Sequence, residues 1–439
     1  MNGSDEPVEL ESDKELWRNR VLNPSAGLNE SKLICWALFA VALLFSSCVV
    51  YCIPASVSTD SSRHPHYDFV YFYGIGQIAS RYPSDRIYDL HLQQQTFNTL
   101  APIREGGYGP SPYPPFVALF FTPFAHLSIK SAYFLWMAIS LSLYLVGVIA
   151  TTRATFRDNW LALPLIMAFA VSFYPFIVST LTSGQLASVA VCAVGLSLYQ
   201  EEHGNPFRSG LALAVLAYKP TLLLLLLPML LLTRRFRTLV GFAAGAVAIV
   251  LATTALAGIH VWAAYADMSR YFAHTTASIL LRWQYVDLHS SFVAVSGGGF
   301  RIGIALLICI IGASAIGLAC LLWKSTTRNR STQWLAWAST LTWTLLLNVY
   351  TPIYDSALIA LAIILTLGAL RHLGWSIASR WTKVMALIIF TVSWITESFA
   401  RNHGIQLLTL MLLVFGVAQL LLLYRAIREK SPEIAAREI

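Results

Sequence analysis

The chain has 439 residues, of which 56% are hydrophobic and only 12% are charged, against roughly 25% charged in a soluble domain. With a mean hydropathy of +0.62, too few charges remain to cover a water-facing surface or to keep the chain disordered. Both of those classes are excluded, leaving an all-α polytopic integral membrane protein. The net charge of +8 sits at the ends of apolar runs, so it reads as membrane orientation and not as a nucleic-acid footprint. The six cysteines lie in or beside apolar runs without CxxC spacing, so neither a zinc site nor a disulfide framework is implied.

Residues 1–32 are polar and acidic and read as a disordered cytoplasmic tail, followed by a retained first helix. About twelve apolar segments follow in chain order, at 33–53, 114–127, 131–151, 160–181, 186–199, 209–232, 239–257, 301–323, 334–349, 353–370, 384–400 and 404–424. The segments 114–127 and 186–199 are short enough to be tilted, broken or re-entrant. With the N-terminus inside, 18 of the 30 Lys and Arg fall on the inner side and 11 on the outer, with Lys219 inside a span. The positive-inside rule then places both termini, including residues 425–439, in the cytoplasm.

Two loops stand on the outer side, at 54–113 and 258–300. In the first, the aromatic stretch Tyr67–Tyr82 suits a helix at the membrane surface, ended by Pro83 and Ser84. Asp89 then takes an N-cap position before the short amphipathic helix LHLQQQTFNTL. The second loop is aromatic and closes on Gly297–Gly298–Gly299. No repeat or low-complexity tract is evident.

Among the residues that could carry chemistry, Asp68 stands where an aromatic stretch meets the membrane surface. Desolvation there would make it a better base; a helix N-cap is the alternative. His64, His66 and Asp68 could approach a metal, but Pro65 breaks their periodicity, and a solvated loop explains them as well. Nothing in the spacing requires a metal or cofactor. Lys219 reads as a lone cation within a span beside the helix-breaking Pro220. It suits either an anion site at bilayer depth or a stem reaching for the interface. The Ser183–Gly184–Gln185 interruption offers an amide side chain, or a plain turn. Asp355, read as the one acid near the outer face in the C-terminal half, could orient a sugar hydroxyl or cap a helix. Tyr108 and Tyr113 flank a rigid proline-rich entry, YGPSPYPPF.

Taken together, YDFVYFY (67–73), RIYDL (86–90), YPPFVALFFTPFAHLS (113–128), SGQ (183–185), LAYKP (216–220) and VYTPIYD (349–355) resemble the family 87 glycosyltransferases of the GT-C superfamily. The motifs occur in the family's order over most of the chain. The resemblance implies a GT-C-like membrane module (33–257, with the outside catalytic loop 54–113), the second outside loop 258–300 and a C-terminal helical module, 301–424. It implies Asp68 as the catalytic base and Lys219 beside the donor phosphate. Tyr67, Tyr71, Tyr113, Gln185, His289, Tyr354 and Asp355 are the substrate-binding candidates. The chain departs from the pattern at Ala187, where an Asn often stands. It departs again at His289–Ser290–Ser291, in place of Asn-Gln-Ser, and at Tyr354–Asp355, in place of the His pair of some mannose-using members.

The expectation is an inverting transferase in a bacterial plasma membrane with its active site facing outward. It would move a mannose- or arabinofuranose-like sugar from a polyprenyl-phosphate donor to an envelope glycolipid or glycan. Its partners would be those two substrates and the bilayer, with no nucleic acid. A secondary transporter would instead show repeated halves and midplane acids; a lipid flippase or scaffold would lack a base beside an open cavity.

Overall fold

A computed structural model describes residues 35–49, 67–100, 109–156, 162–279, 282–296, 301–325 and 329–429. The expected N-terminal tail 1–32, the C-terminal residues 430–439, and His64, His66, Tyr108 and the glycine run 297–299 lie outside these residues. What is described is helical, with one isolated antiparallel bridge between Tyr285 and Pro352. In chain order the helices are α1 (Cys35–Val49), α2 (Tyr67–Arg81), α3 (Leu90–Leu100), α4 (Pro115–Phe121), α5 (Ile129–Thr155), α6 (Ala162–Val171), α7 (Ala187–Glu202), α8 (Pro206–Ala214) and α9 (Leu223–Leu232). They continue with α10 (Phe236–Ala257), α11 (His260–Ile279), α12 (Leu288–Ser296), α13 (Arg301–Ser325), α14 (Arg330–Leu346), α15 (Ile359–His372), α16 (Ser376–His403) and α17 (Leu407–Arg428).

Six of the described helices are long and apolar enough to cross a membrane, and the bent pair Ala162–Val171 and Tyr174–Thr182 makes a seventh if it counts as one span. Fewer pass than the twelve apolar segments suggest, because proline and glycine divide several of those segments. Segment 114–127 is one such case. Pro114 and Pro115 start a helix of only seven residues, and tight turns over Thr122–His126 follow it. The Tyr73 hydroxyl donates to the Leu127 carbonyl at 2.7 Å, so this stretch packs back on α2. Segment 209–232 is another. It breaks at Lys219–Pro220 into α8, two 3₁₀ turns and α9.

These breaks change the course of the middle of the chain. The start of α5 lies at the Asp68 end of the bundle, where Trp136 Nε1 donates to the Gly184 carbonyl at 2.9 Å. Its far end reaches Gly368 of α15, and the Arg371 guanidinium lies 5.9 Å from the Phe156 ring. α7 runs the same way, from Gln185 to Glu201 and Glu202, which pair with Arg235 and Arg330. α8 returns beside α7, with Ser197 and Ser209 hydroxyls 2.7 Å apart, and α9 descends again to Arg234–Arg235. Lys130, expected inside, therefore stands at the Asp68 end. Arg153 and Arg208, expected outside, stand at the basic end with Arg235 and Arg371.

The expected second loop is largely helical: α11 and α12 occupy most of 258–300. α11 packs on the first loop, with Tyr88 and Tyr265 rings 5.6 Å apart. In that loop Asp89 caps α3, accepting from the Leu92 N–H at 3.0 Å. α14 forms the centre of the bundle and is buried along nearly its whole length, with Trp337 and Trp343 among the largest enclosed side chains. Two of its buried threonines return hydrogen bonds to their own helix, Thr340 to Ala336 and Thr342 to Ala338.

Small residues set the closest approach. At Gly147 of α5 an added Cβ would sit 2.3 Å from the Val191 carbonyl oxygen of α7, and at Gly195 it would sit 2.2 Å from that of Gly147. Gly147→Ala must therefore push the two helices apart, which costs about 1–3 kcal/mol. Gly312→Ala on α13 meets open space and is expected to leave stability unchanged or slightly raised. Thermal unfolding of both variants in detergent checks this; equal midpoints would remove close α5–α7 packing as a determinant.

Candidate active site

The start of α2 is seated on the Ser183–Gly184–Gln185 turn. The Phe69 N–H donates to the Ser183 carbonyl at 3.0 Å. Gly184 has φ +72, and a Cβ there would fall 2.7 Å from that of Phe69, so both conformation and space call for glycine. Tyr133 donates to the Thr182 carbonyl at 2.5 Å and, with Trp136, clamps the turn from α5. The turn in turn presents the Gln185 side-chain amide to the Asp68 carboxylate. Gln185 Oε1, also buried, has no hydrogen-bond partner. Asp68 itself is half-buried. The surrounding protein pushes its carboxyl above the usual carboxylate range, and the Gln185 hydrogen bond pulls it part of the way back.

The break at Lys219–Pro220 makes the second half of the site. Pro220 cannot donate a backbone hydrogen bond, and Lys219 leaves helical geometry at φ −139 and ψ 80. Tyr218 donates to the Leu186 carbonyl at 3.1 Å, holding the apex of the α8–α9 hairpin beside the Gln185 turn. Lys219 is not the lone cation that its sequence context suggests. Its ammonium is paired with the Asp355 carboxylate, and both groups are buried. The ammonium also lies 4.7 Å from the Tyr354 ring centroid and 5.7 Å from that of Tyr350. Asp355 Oδ1 is buried without a partner. The acid thus keeps an unpartnered acceptor oxygen beside its ion pair, and it neither caps a helix nor stands free.

Tyrosines connect the halves. Tyr113 shares a hydrogen bond with Tyr354, and its carbonyl accepts from the Tyr88 hydroxyl at 2.7 Å. The Tyr113, Tyr350 and Tyr354 phenols lie in the field of both Asp68 and Asp355, which places the two carboxylates around one set of hydroxyls. Tyr71 has a different place: its ring packs on Phe97 of α3 at 5.1 Å, a core contact of the surface helices. Tyr67 opens α2, but its side chain lies outside the described residues.

Two further acids lie in this region that the sequence motifs do not single out. Asp287 is fully buried; it accepts from the Ser290 N–H at 2.7 Å and the Thr351 N–H at 3.1 Å. Desolvation nevertheless raises its carboxyl pKa, against these hydrogen bonds. It caps α12 and fastens that helix to the 349–352 loop. His289 follows in the first turn, half-buried, its Nδ1 without a hydrogen-bond partner among the described residues. Glu397 of α16 accepts from the Tyr174 hydroxyl at 2.6 Å and feels the charges of Arg401 and Asp68. Asp355 is therefore not the one acid near this face in the C-terminal half. A capping pattern, Asp-Leu-His-Ser, marks Asp287 in the sequence. Glu397 has only the signal of an acid near the end of an apolar run. The described residues contain no group of three or more His, Cys, Asp or Glu side chains placed to hold a metal.

The glycosyltransferase family 87 model matches residues 112–349, more than half of the chain. No curated protein and no solved structure matches it.

The buried pair sets a stability test. Lys219→Met leaves a buried carboxylate without its cation, which costs about 3–5 kcal/mol, whereas removing both charges is far less costly. Lys219→Met/Asp355→Leu is therefore expected to unfold at a higher temperature than Lys219→Met. A double variant no more stable than the single one would mean that the two groups are not coupled.

Proposed function

Because the chain belongs to glycosyltransferase family 87, and is on that ground a membrane glycosyltransferase, we propose that it takes its sugar from a polyprenyl-phosphate donor. The acceptor is a hydroxyl of a glycolipid or glycan. The sugar is mannose- or arabinofuranose-like, and transfer inverts the anomeric carbon. The observation that carries this reading is the half-buried carboxylate of Asp68, raised by its surroundings and held by Gln185, in the field of the same tyrosines as the Lys219–Asp355 pair.

In this mechanism Asp68 accepts the proton of the acceptor hydroxyl as that oxygen attacks the anomeric carbon. The new carbon–oxygen bond forms while the bond to the donor phosphate oxygen breaks, and polyprenyl phosphate leaves with the electron pair. Lys219 donates to that phosphate with the protons not engaged by Asp355. Asp355 holds the ammonium in place and offers its free Oδ1 to a sugar hydroxyl. Tyr113, Tyr354 and Gln185 supply further hydrogen bonds, and tyrosine rings offer stacking faces. His289 is a candidate at the rim.

We place the site on the outer side of a bacterial plasma membrane with both termini cytoplasmic. The charge distribution supports this: Arg153, Arg208, Arg235, Arg330, Arg371 and Arg425 gather at the end opposite Asp68. Modules 33–257 and 301–424 then share the work, the first carrying the base and the second carrying Asp355. A Ser84→Cys variant is expected to react with an impermeant thiol reagent added to the outside of intact cells, compared against the parent chain. Reaction only after the inner face is opened would reverse the orientation.

The base assignment has a kinetic test. Asp68→Asn keeps an acceptor for Gln185 but cannot take a proton at neutral pH, so kcat is expected to fall at least ~10²-fold in a folded protein. Near-parental turnover would move the base elsewhere, with Asp355 next to be tested. The pH profile gives an independent readout. A base with a raised pKa loses rate as pH falls through a value above the ordinary ~3.9 of aspartate. The Gln185 amide stabilises the charged form, so Gln185→Leu is expected to move that acidic limb to higher pH. An unmoved limb would separate Asp68 from the titrating group.

A further inference from the structure

A cavity of about 840 Å³ lies between α6, α15 and α16, with Cys35 of α1 and Phe156 at its edge, and none of the candidate site residues lines it. It follows α15 from Ala360 to Arg371, about 17 Å at 1.5 Å per residue. That length is close to one leaflet of a bilayer whose hydrocarbon core is about 30 Å thick. At the Ala360 end Phe173 stacks on Phe390, with ring centroids 6.3 Å apart. The rim is open: Leu165, Phe169 and Leu387 are 40%, 49% and 55% exposed.

The polar lining gathers at the other end. Arg371 stands in the last turn of α15. Ser376, Ser379 and Lys383 stand on α16 at spacings of three and four, which puts them on one face. Among the described residues neither Arg371 nor Lys383 has an acid within 4.0 Å. An apolar trough one leaflet long, open to the hydrocarbon and ending in two hydroxyls and two cations that have no acid partner among the described residues, is complementary to one acyl chain with a phosphate at its head.

We infer that this trough binds an anionic glycerophospholipid of the leaflet opposite the candidate active site, its phosphate held by Arg371 and Lys383 and one acyl chain along α15. The occupant is not the sugar donor. Arg371 lies sixteen residues beyond Asp355 along the chain, about 24 Å by helical rise, so one phosphate cannot serve both places. The trough is lined by α16, the helix that carries Glu397 near the Asp68 end. A lipid lodged there supports the packing of α6 against α16.

The test is native mass spectrometry of the full chain in detergent micelles supplied with dioleoyl phosphatidylglycerol, dioleoyl phosphatidylcholine or undecaprenyl phosphate. One phosphatidylglycerol per chain is expected to persist at activation energies that strip phosphatidylcholine. Its occupancy is expected to fall about fivefold for each cation removed in Arg371→Gln and Lys383→Gln. Because both side chains are exposed, these variants should keep the parental unfolding midpoint, measured in parallel. Ala386→Trp, which fills the trough without altering charge, is expected to displace the same lipid. Three results would overturn the inference. One is phosphatidylglycerol binding unchanged in the double charge variant. Another is undecaprenyl phosphate as the ligand that depends on these cations. The third is no lipid on the parental chain, as a trough filled by residues 1–34 would give.

Discussion

A buried ammonium facing a buried carboxylate is the constraint on which the site depends. Either Lys219 or Asp355 alone would leave an uncompensated buried charge. Their pairing joins two parts of the chain more than a hundred residues apart. It also explains why the α8–α9 hairpin turns where it does. The apex needs a residue outside helical geometry, and Pro220 supplies the break. Lys219 at that break then needs the acid that Asp355 brings from the 3₁₀ turn before α15.

Around this anchor the remaining parts are placed by ordinary packing. Gly147 and Gly195 let α5 and α7 approach closely, which brings Tyr133 and Trp136 of α5 under the Gly184 turn. The turn brings Gln185 to Asp68. Phe69 completes the seat, its ring 5.6 Å from that of Tyr133 and 6.2 Å from that of Phe121. The carboxylate's setting is thus a product of the interior and not of the loop on which it is carried.

Much of this was legible in the sequence. Apolar runs gave the all-helical membrane class, Pro83 and Asp89 gave the ends of the surface helices, and the Tyr-Pro-Pro and Lys-Pro motifs gave the family. Course and pairing were not legible. Hydropathy cannot separate a seven-residue helix that folds back at Pro115–Phe121 from a crossing, because both are apolar. Nor can it see that 209–232 doubles back, because Leu-rich halves on either side of Lys219 read as one run. Asp355 and Lys219 each looked isolated because their partnership is purely tertiary. Glu397 was hidden for the same reason, its contact being Tyr174, 223 positions away.

The bridge between Tyr285 and Pro352 carries a mechanical meaning. Val286 donates to the Thr351 carbonyl at 2.9 Å, and Asp287 accepts from the Thr351 amide. Tyr285 meanwhile lies against Tyr350, with rings 5.1 Å apart. The segment before α12 and the segment before α15 are therefore stitched into a single leaf over the Lys219 ammonium. Such a leaf links the two segments mechanically. A displacement of Tyr350 would therefore be passed on to the start of α12, where His289 stands.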